Sequence, residues 1–366
     1  MNYIHEQLNW PNLTWDTEKL STSLAAIRHQ QGFLLGRMSA LGFEIRTEAS
    51  LEILTANIVK SSEIEGEILN HDDVRSSIAR HLNIDIGGVS PINRHIEGIV
   101  EMMLDATQYY QMPLTKERLF GWHNALFPTG WSSMRKITVA AWRPPETEQM
   151  QVVSGSIGRE HVHFEAPAPE RLDKEMTAFL DWFNTDEKID PVLKAGIAHF
   201  WFVTIHPFED GNGRIARAIA DLALARADRI AERFYSMSAQ IERERKAYYT
   251  WLETCQKGDL NITRWLEWFL SCLGRAIDGA ENSIESVLRK SRVWDYVNRY
   301  SINDRQRKVI HQLLQGFRSK LTTSKYATLA KCSKDTALRD IRELIEHKIL
   351  SQNPEGGRNT SYQLMS

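Results

Sequence analysis

Along most of the chain apolar residues recur every three or four positions, the spacing that lines one face of an α-helix. Leu20, Leu24 and Ile27 keep that spacing, as do Leu51, Leu54 and Ile58, so helix is predicted through most of residues 16–60. Gly87-Gly88 and Pro91 interrupt it and predict a loop. Helical spacing resumes at Ile96, Ile99 and Met103, and again over residues 116–126. Between Phe127 and Pro169 prolines, glycines and short β-branched runs (Ile137-Thr138-Val139, Gln151-Val152-Val153) predict an irregular loop with one hairpin. The helical pattern returns from Leu172 to about Lys290. Residues 301–366 then read as a helix–turn–helix followed by two short strands. The chain has no internal repeat and no low-complexity tract. The fold class is mainly α.

A length of 366 residues predicts two or three domains, with boundaries read at 1–90, 91–290 and 291–366. Hydrophobic residues at 42% and charged residues at 25% exclude a disordered or fibrous polymer and leave ample material for a core. Lys and Arg number 45 against 47 Asp and Glu, a net charge of −2, which excludes a chain-wide nucleic-acid or polybasic membrane surface. Any such surface must be local. The three cysteines (Cys255, Cys272, Cys332) form no C-x-x-C, so neither a disulfide framework nor a zinc ribbon fits, and reduced thiols suit the cytosol. The amino terminus lacks a signal-peptide core, and the apolar run Ala195–Ile205 is too short to span a bilayer and is interrupted by His199. A cytoplasmic protein without membrane attachment is expected.

The densest chemistry lies at His206-Pro207-Phe208-Glu209-Asp210-Gly211-Asn212-Gly213-Arg214-Ile215-Ala216-Arg217. An apolar helical run ends at Ile205, and Ile215, Ile219 and Leu222 start another. The turn between them carries two glycines that let backbone approach a ligand closely. N–H groups at a helix start converge on an anion, aided by the helix dipole. His206 offers a base, Asp210 an oxygen ligand for a divalent cation, and Arg214 and Arg217, three apart, can face one anion. Polyphosphate with Mg²⁺ fits this chemistry. Gly211-x-Gly213-x-x-Ala216 also matches a dinucleotide fingerprint, but the alternating strand–helix units that pattern needs are absent.

This segment resembles the signature of the Fic (filamentation induced by cAMP) family, H-x-F-x-[DE]-G-N-G-R-x-x-R, at every fixed position. The resemblance implies a helical core with a β-hairpin flap that uses ATP and Mg²⁺ to attach AMP to a Ser, Thr or Tyr hydroxyl of a target protein. Under it His206 is the general base, Asp210 the Mg²⁺ ligand, and Gly211, Asn212 and Gly213 the anion hole, with Ile215 and Ala216 inside the same ATP-binding segment. Arg214 would meet the β-phosphate and Arg217 the γ-phosphate. Gln151-Val152-Val153-Ser154-Gly155, returning through His161-Val162-His163-Phe164, is similar to the flap that aligns a target by strand addition. Tyr248 and Gln256 fall where the family closes on adenine, although some relatives carry Asn in place of Gln256. Trp10-Pro11-Asn12-x-Thr14-Trp15 resembles the opening of an amino-terminal helical extension found on one bacterial subgroup.

Ser61-Ser62-Glu63-Ile64-Glu65-Gly66 matches the family's inhibitory pattern [ST]-x-x-x-E-[GN]. Ser61 and Glu65 stand one helical turn apart on one face. The resemblance implies that Glu65 pairs with Arg217 and denies it to ATP, with Gly66 leaving room for close approach. Autoinhibition by an amino-terminal helix is therefore expected.

Other features carry less. His199, His206 and His161-x-His163 could supply zinc ligands, but no HExxH or Cys partner accompanies them, and His199 is assigned to the core or a supporting position. Trp10, Trp15, Trp122, Trp131 and Trp142 read as packing anchors. The tail, with a second helix over 334–348 buried through Leu338, Ile341, Leu344 and Ile345, resembles a winged helix–turn–helix domain. From Arg318 to Ser366 nine Lys or Arg face five Asp or Glu, a net of +4, which is mild for a DNA reader and favours a protein-interaction or target-positioning module. The alternatives are a DNA-binding regulator with a nucleotide-sensing core, or the same fold removing AMP from a target. A homodimer and self-modification are further expectations.

Overall fold

Helix start signals appear where the periodicity places them. The structure, a computed structural model, describes residues 3–86, 91–146, 149–154, 161–185, 188–314, 319–353 and 360–365. Gly87-Gly88, Gly155 and residues 354–359, between the two strand-like pieces of the tail, lie outside the described residues. The chain divides into two units, Met1–Ser283 and Ile284–Ser366.

The first unit opens with α1 (Thr17–Ser39), α2 (Phe43–Ile64), α3 (His71–His81), α4 (Arg94–Gln108) and α5 (Lys116–Leu126). Asp16, Asn70, Asn93 and Thr115 cap α1, α3, α4 and α5, each side chain accepting first-turn N–H groups. Two antiparallel hairpins follow: β1 (Trp131–Ser132) with β2 (Arg135–Lys136), and β3 (Gln151–Ser154) with β4 (His161–Glu165). The second hairpin pairs Val152 with Phe164 and Ser154 with His161, with a bulge between Val152 and Val153. Then come α6 (Leu172–Asn184), α7 (Pro191–Ile205), α8 (Asn212–Asp228), α9 (Met237–Arg243), α10 (Arg245–Gln256) and α11 (Thr263–Val297). α7 and α8 pack on each other at the centre, with α4 and α5 against α8 and α9 on α2. α7 is apolar all round, as a helix enclosed by others must be, and buries every residue from Ala195 to Ile205.

The second unit receives the last turns of α11 and continues with α12 (Asp304–Leu314), β5 (Leu321–Thr322), α13 (Thr323–Ala330), α14 (Lys334–Glu346), β6 (Leu350–Gln352) and β7 (Ser361–Leu364). Its antiparallel sheet has the order β5-β7-β6. Its own core contains Ile310, Tyr326, Ile341, Leu344 and Leu350.

Three expectations need correction. The stretch 127–169 holds two hairpins rather than one, and Ile137-Thr138-Val139 is coil, its residues Ile137 and Thr138 held by backbone bonds to Gly130 and to the Glu209 carboxylate. The tail has a third strand, β5, too short to show a period in sequence. Trp131, read as a packing anchor, is 50% exposed on β1, unlike buried Trp122. Among the described residues no helix is long and apolar enough to cross a membrane.

Candidate active site

The centre of the site is the turn from α7 to α8. Asp190 caps α7 and Pro191 holds its first helical position. The helix ends at His206, whose φ of 51° lies in the left-handed region that a non-glycine residue enters only when its surroundings enforce it. Arg143 supplies that enforcement. Its backbone N–H donates to the Pro207 carbonyl at 2.9 Å, its Nε to the His206 carbonyl at 3.0 Å, and its Nη2 to the Pro167 carbonyl. Asn212 closes the turn, its Oδ1 accepting from Phe208 N–H at 3.0 Å and its Nδ2 donating to the Phe208 carbonyl at 2.8 Å. Phe208 is fully buried and stacks on His123 at 4.2 Å between centroids.

Gly211 caps α8 at φ 81°, a conformation that favours glycine. The first bond of that helix runs from Ile215 N–H to the Gly211 carbonyl at 3.0 Å, so the amides of Asn212, Gly213 and Arg214 stand at its open positive end. Ile215 and Ala216 turn into the core and are fully buried.

Proton positions around the turn follow from its acceptors. His206 Nδ1 lies 3.1 Å from the Val203 carbonyl, which can only accept, so Nδ1 carries the hydrogen and Nε2 keeps its lone pair. Burial lowers the His206 pKa from its ordinary value, and the ring is neutral near pH 7. His123 Nδ1 accepts from Ala140 N–H at 3.2 Å, which leaves Nε2–H to donate to the Asp210 carbonyl at 3.2 Å. Burial pushes His123 down to about 4. The Asp210 carboxylate accepts from Gly211 N–H at 2.5 Å and from the Ser132 hydroxyl. Each oxygen keeps further lone-pair capacity, which fits one ligand of a hard divalent cation.

The last turn of α2 faces this centre. Arg217, 2% exposed, donates from Nε to Ser61 Oγ at 2.9 Å, and from Nη2 to the Ser61 carbonyl at 2.8 Å and to Glu65 Oε1 at 2.7 Å. Burial opposes the Arg217 charge, yet the Glu65 carboxylate holds its pKa above the ordinary value. A second carboxylate repeats the pattern: Glu67 Oε2 takes Arg214 Nη1 at 3.0 Å, and its other oxygen meets His95. Burial works against the Glu67 charge, but His95 and Arg214 keep its pKa lowered. Among the described residues, Arg214 Nε and Arg217 Nη1 are buried donors without a partner. A Cβ on Gly213 would run into the Glu65 carboxylate, so this glycine admits the close approach.

Gly66 has a different role from the one expected. A Cβ there would meet nothing within 4 Å; what the position requires is its φ of 85°. It ends α2 in a Schellman motif, with Gly66 N–H on the Glu63 carbonyl and Glu67 N–H on the Ser62 carbonyl, both at 3.0 Å. That ending turns Glu67 back toward α8.

The outer residues lie as follows. Val152 is half-buried and Val153 exposed on β3, which also carries Ser154, while Gly155 is outside the described residues. Tyr248 is buried, its hydroxyl 2.9 Å from His199 Nε2 and its ring beside Trp265 and Trp268. Gln256 is also buried and donates to Thr204 Oγ1 at 3.3 Å. Both polar ends are engaged in the core around α7. Glu67, His95, Ser132, His123 and Arg143 join the site without any sequence signal, because each reaches the turn from a distant element.

The Fic/DOC family profile matches residues 113–224, and a domain of unknown function (DUF4172) matches residues 3–84. The chain is 37% identical over 114 residues to Protein adenylyltransferase Fic of Nematostella vectensis, covering 31% of this chain and 25% of that protein. It is 33% identical over 119 residues to Protein adenylyltransferase fic-1 of Caenorhabditis elegans, covering 32% and 22%. The chain thus spans about a quarter of the length of these curated relatives. A solved Fic family protein from Desulfovibrio desulfuricans superposes with a TM-score of 0.51 at 20% identity over 94% of this chain and 96% of that one. A Fic domain containing signaling protein from Bacteroides thetaiotaomicron gives 0.53 at 19% over 71% and 97%. At such identity the likeness speaks for the fold.

Proposed function

The chain carries a Fic/DOC family domain at residues 113–224, and from that premise we propose that it is a protein adenylyltransferase restrained by its own α2. The observation that carries the reading is the pair of buried arginine donors that find no partner among the described residues, beside the open end of α8 and next to a neutral histidine whose Nε2 keeps its lone pair. Buried guanidinium groups and helix amides gather where a polyphosphate is to be held.

In the proposed reaction His206 Nε2 takes the proton of a target Ser, Thr or Tyr hydroxyl. The hydroxyl oxygen forms a bond to the α-phosphorus of ATP as the α–β bridging bond breaks and pyrophosphate leaves. The amides of Asn212, Gly213 and Arg214 meet the charge that develops on the α-phosphate. Arg214 and Arg217 hold the outer phosphates. Asp210 would hold Mg²⁺, which when bound neutralises phosphate charge. The β3–β4 hairpin offers an edge to which a target segment adds as a strand. The names of the curated relatives support transfer of AMP.

Restraint comes from Glu65. Its carboxylate occupies Arg217 and abuts Gly213, on the ground that a γ-phosphate would need. Labelling with α-³²P-ATP tests both statements. Glu65→Gly is expected to label protein faster than wild type, and His206→Ala to lose at least about 100-fold relative to Glu65→Gly. Label from γ-³²P alone, or an unchanged rate in Glu65→Gly, overturns the reading. The three helices and small sheet of the second unit support reading it as a winged helix–turn–helix module that positions a protein partner.

A further inference from the structure

Outside the phosphate-facing turn, one group of three metal-ligating side chains meets among the described residues. His161 and His163 project from the same face of β4, two residues apart, and Glu253 faces them from α10. His163 Nδ1 lies 2.6 Å from Glu253 Oε2, and His161 Nε2 lies 3.8 Å from Glu253 Oε1. All three ligand atoms fall within 4.8 Å of one another. The imidazole rings stand edge to face with centroids 4.6 Å apart. The other two candidate imidazoles lie elsewhere: His199 is bound to Tyr248 and His206 to the Val203 carbonyl in the α7–α8 turn.

We propose that His161, His163 and Glu253 form a binding site for Zn²⁺ that ties the β3–β4 hairpin to α10. Two imidazole nitrogens and one carboxylate oxygen are a common set of three protein ligands for zinc, with water in the fourth position. Imidazole is a poor ligand for Mg²⁺ or Ca²⁺, which prefer all-oxygen sets, so the site is chemically separate from the one at Asp210. Tetrahedral zinc with bonds of about 2.0–2.1 Å holds its ligand atoms about 3.3 Å apart. With one carboxylate oxygen as ligand, the three ligand atoms, now within 4.8 Å of one another, would shift their mutual distances by no more than about 1.5 Å to reach that spacing. Exposed His161 gives the ion a path of entry.

Lys257 competes for the same carboxylate, with Nζ 2.6 Å from Glu253 Oε1. Zinc must displace that ammonium. The site therefore has a built-in ceiling on affinity, and removing the lysine charge should raise it. The ion would hold the β4 arm against α10 and limit how the hairpin moves when a target strand adds. Only this consequence for the hairpin rests on the transfer reading above; zinc binding does not.

The test is a titration of the full-length, chelator-treated chain with ZnCl₂ in the absence of ATP, read by calorimetry, with visible absorption of the Co²⁺-substituted chain as a second readout. One site per chain is expected. His161→Ala and Glu253→Gln should each weaken binding at least about tenfold, Lys257→Met should tighten it, and the exposed His29→Ala should leave it unchanged. A Co²⁺ band of tetrahedral intensity should be lost with the same two weakening variants. Equal affinity in wild type, His161→Ala and Glu253→Gln, or no saturable binding by wild type, overturns the proposal. Because no nucleotide is present, that outcome is independent of whether the chain transfers AMP.

Discussion

At the scale of single residues, the site is organised by the hydrogen that each imidazole must carry. Val203 fixes the His206 hydrogen on Nδ1, and burial keeps the ring neutral, so the nitrogen facing a hydroxyl is a base without any pH adjustment. His123 is neutral for the same reason and spends both nitrogens on the backbone of the turn and of Ala140. The pH dependence follows from the direction of the His206 shift. A base works while unprotonated, and a lowered pKa keeps it so to below its ordinary value of about 6.5. In the Glu65→Gly background the initial rate of labelling should stay level from pH 8 through about 6.5 and fall, by up to tenfold per pH unit, only below that. A rate that already declines between pH 8 and 7 would show a base with a raised pKa and contradict the hydrogen-bond argument.

Helix ends carry the next level of the argument. The contiguous turn from His206 to Arg217 was legible in sequence because its parts sit within one loop and one helical turn. The Glu65–Arg217 contact was not, on periodicity alone, since 152 residues separate the partners; the resemblance supplied it. Glu67 and His95, which repeat the pattern on Arg214, matched no pattern at all, and Arg143 carried no signal because its role is to brace carbonyls from another segment. Gly66 serves through its left-handed φ rather than through the spare room its sequence pattern suggests, and so lets α2 end where both carboxylates reach α8. The two helix ends are therefore coupled, and stability should trade against nucleotide binding. Glu65→Gly removes the carboxylate from Arg217 and leaves the Ser61 bonds, a loss of about 1–3 kcal/mol for a buried charged donor, taken toward the low end because the Glu65 side chain is 33% exposed. The melting temperature of the nucleotide-free variant should drop. Added ATP, supplying phosphate oxygens to the same guanidinium, should then raise it by more than it raises wild type. Equal ATP-induced shifts in the two proteins would mean that Glu65 and nucleotide do not compete.

For the whole molecule, the open question is what the second unit meets. Sequence showed its helix–turn–helix rhythm and the stripe on α14, of which Ile341 and Leu344 are fully buried. It could not show which charges face out. Asp340 is one that does not: it is buried and bound by Arg305 at 3.0 and 3.1 Å, with the Tyr326 hydroxyl at 3.4 Å. Withdrawing Asp340 still leaves Lys334, Arg339 and Arg342 exposed on α14 beside exposed Asp335, Glu343 and Glu346. An equal number of either sign along one helix gives no continuous positive face to follow a phosphate backbone. The full chain is the right object to test, since the boundary between the units falls inside α11 and a cut there would sever a helix. In a gel shift at about 150 mM salt it should hold duplex DNA no better than the roughly 10⁻⁴–10⁻⁶ M of non-specific binding. Retardation near 10⁻⁸ M, lost in Arg339→Ala with Arg342→Ala, would instead assign α14 to a DNA groove and reverse the case for a protein partner.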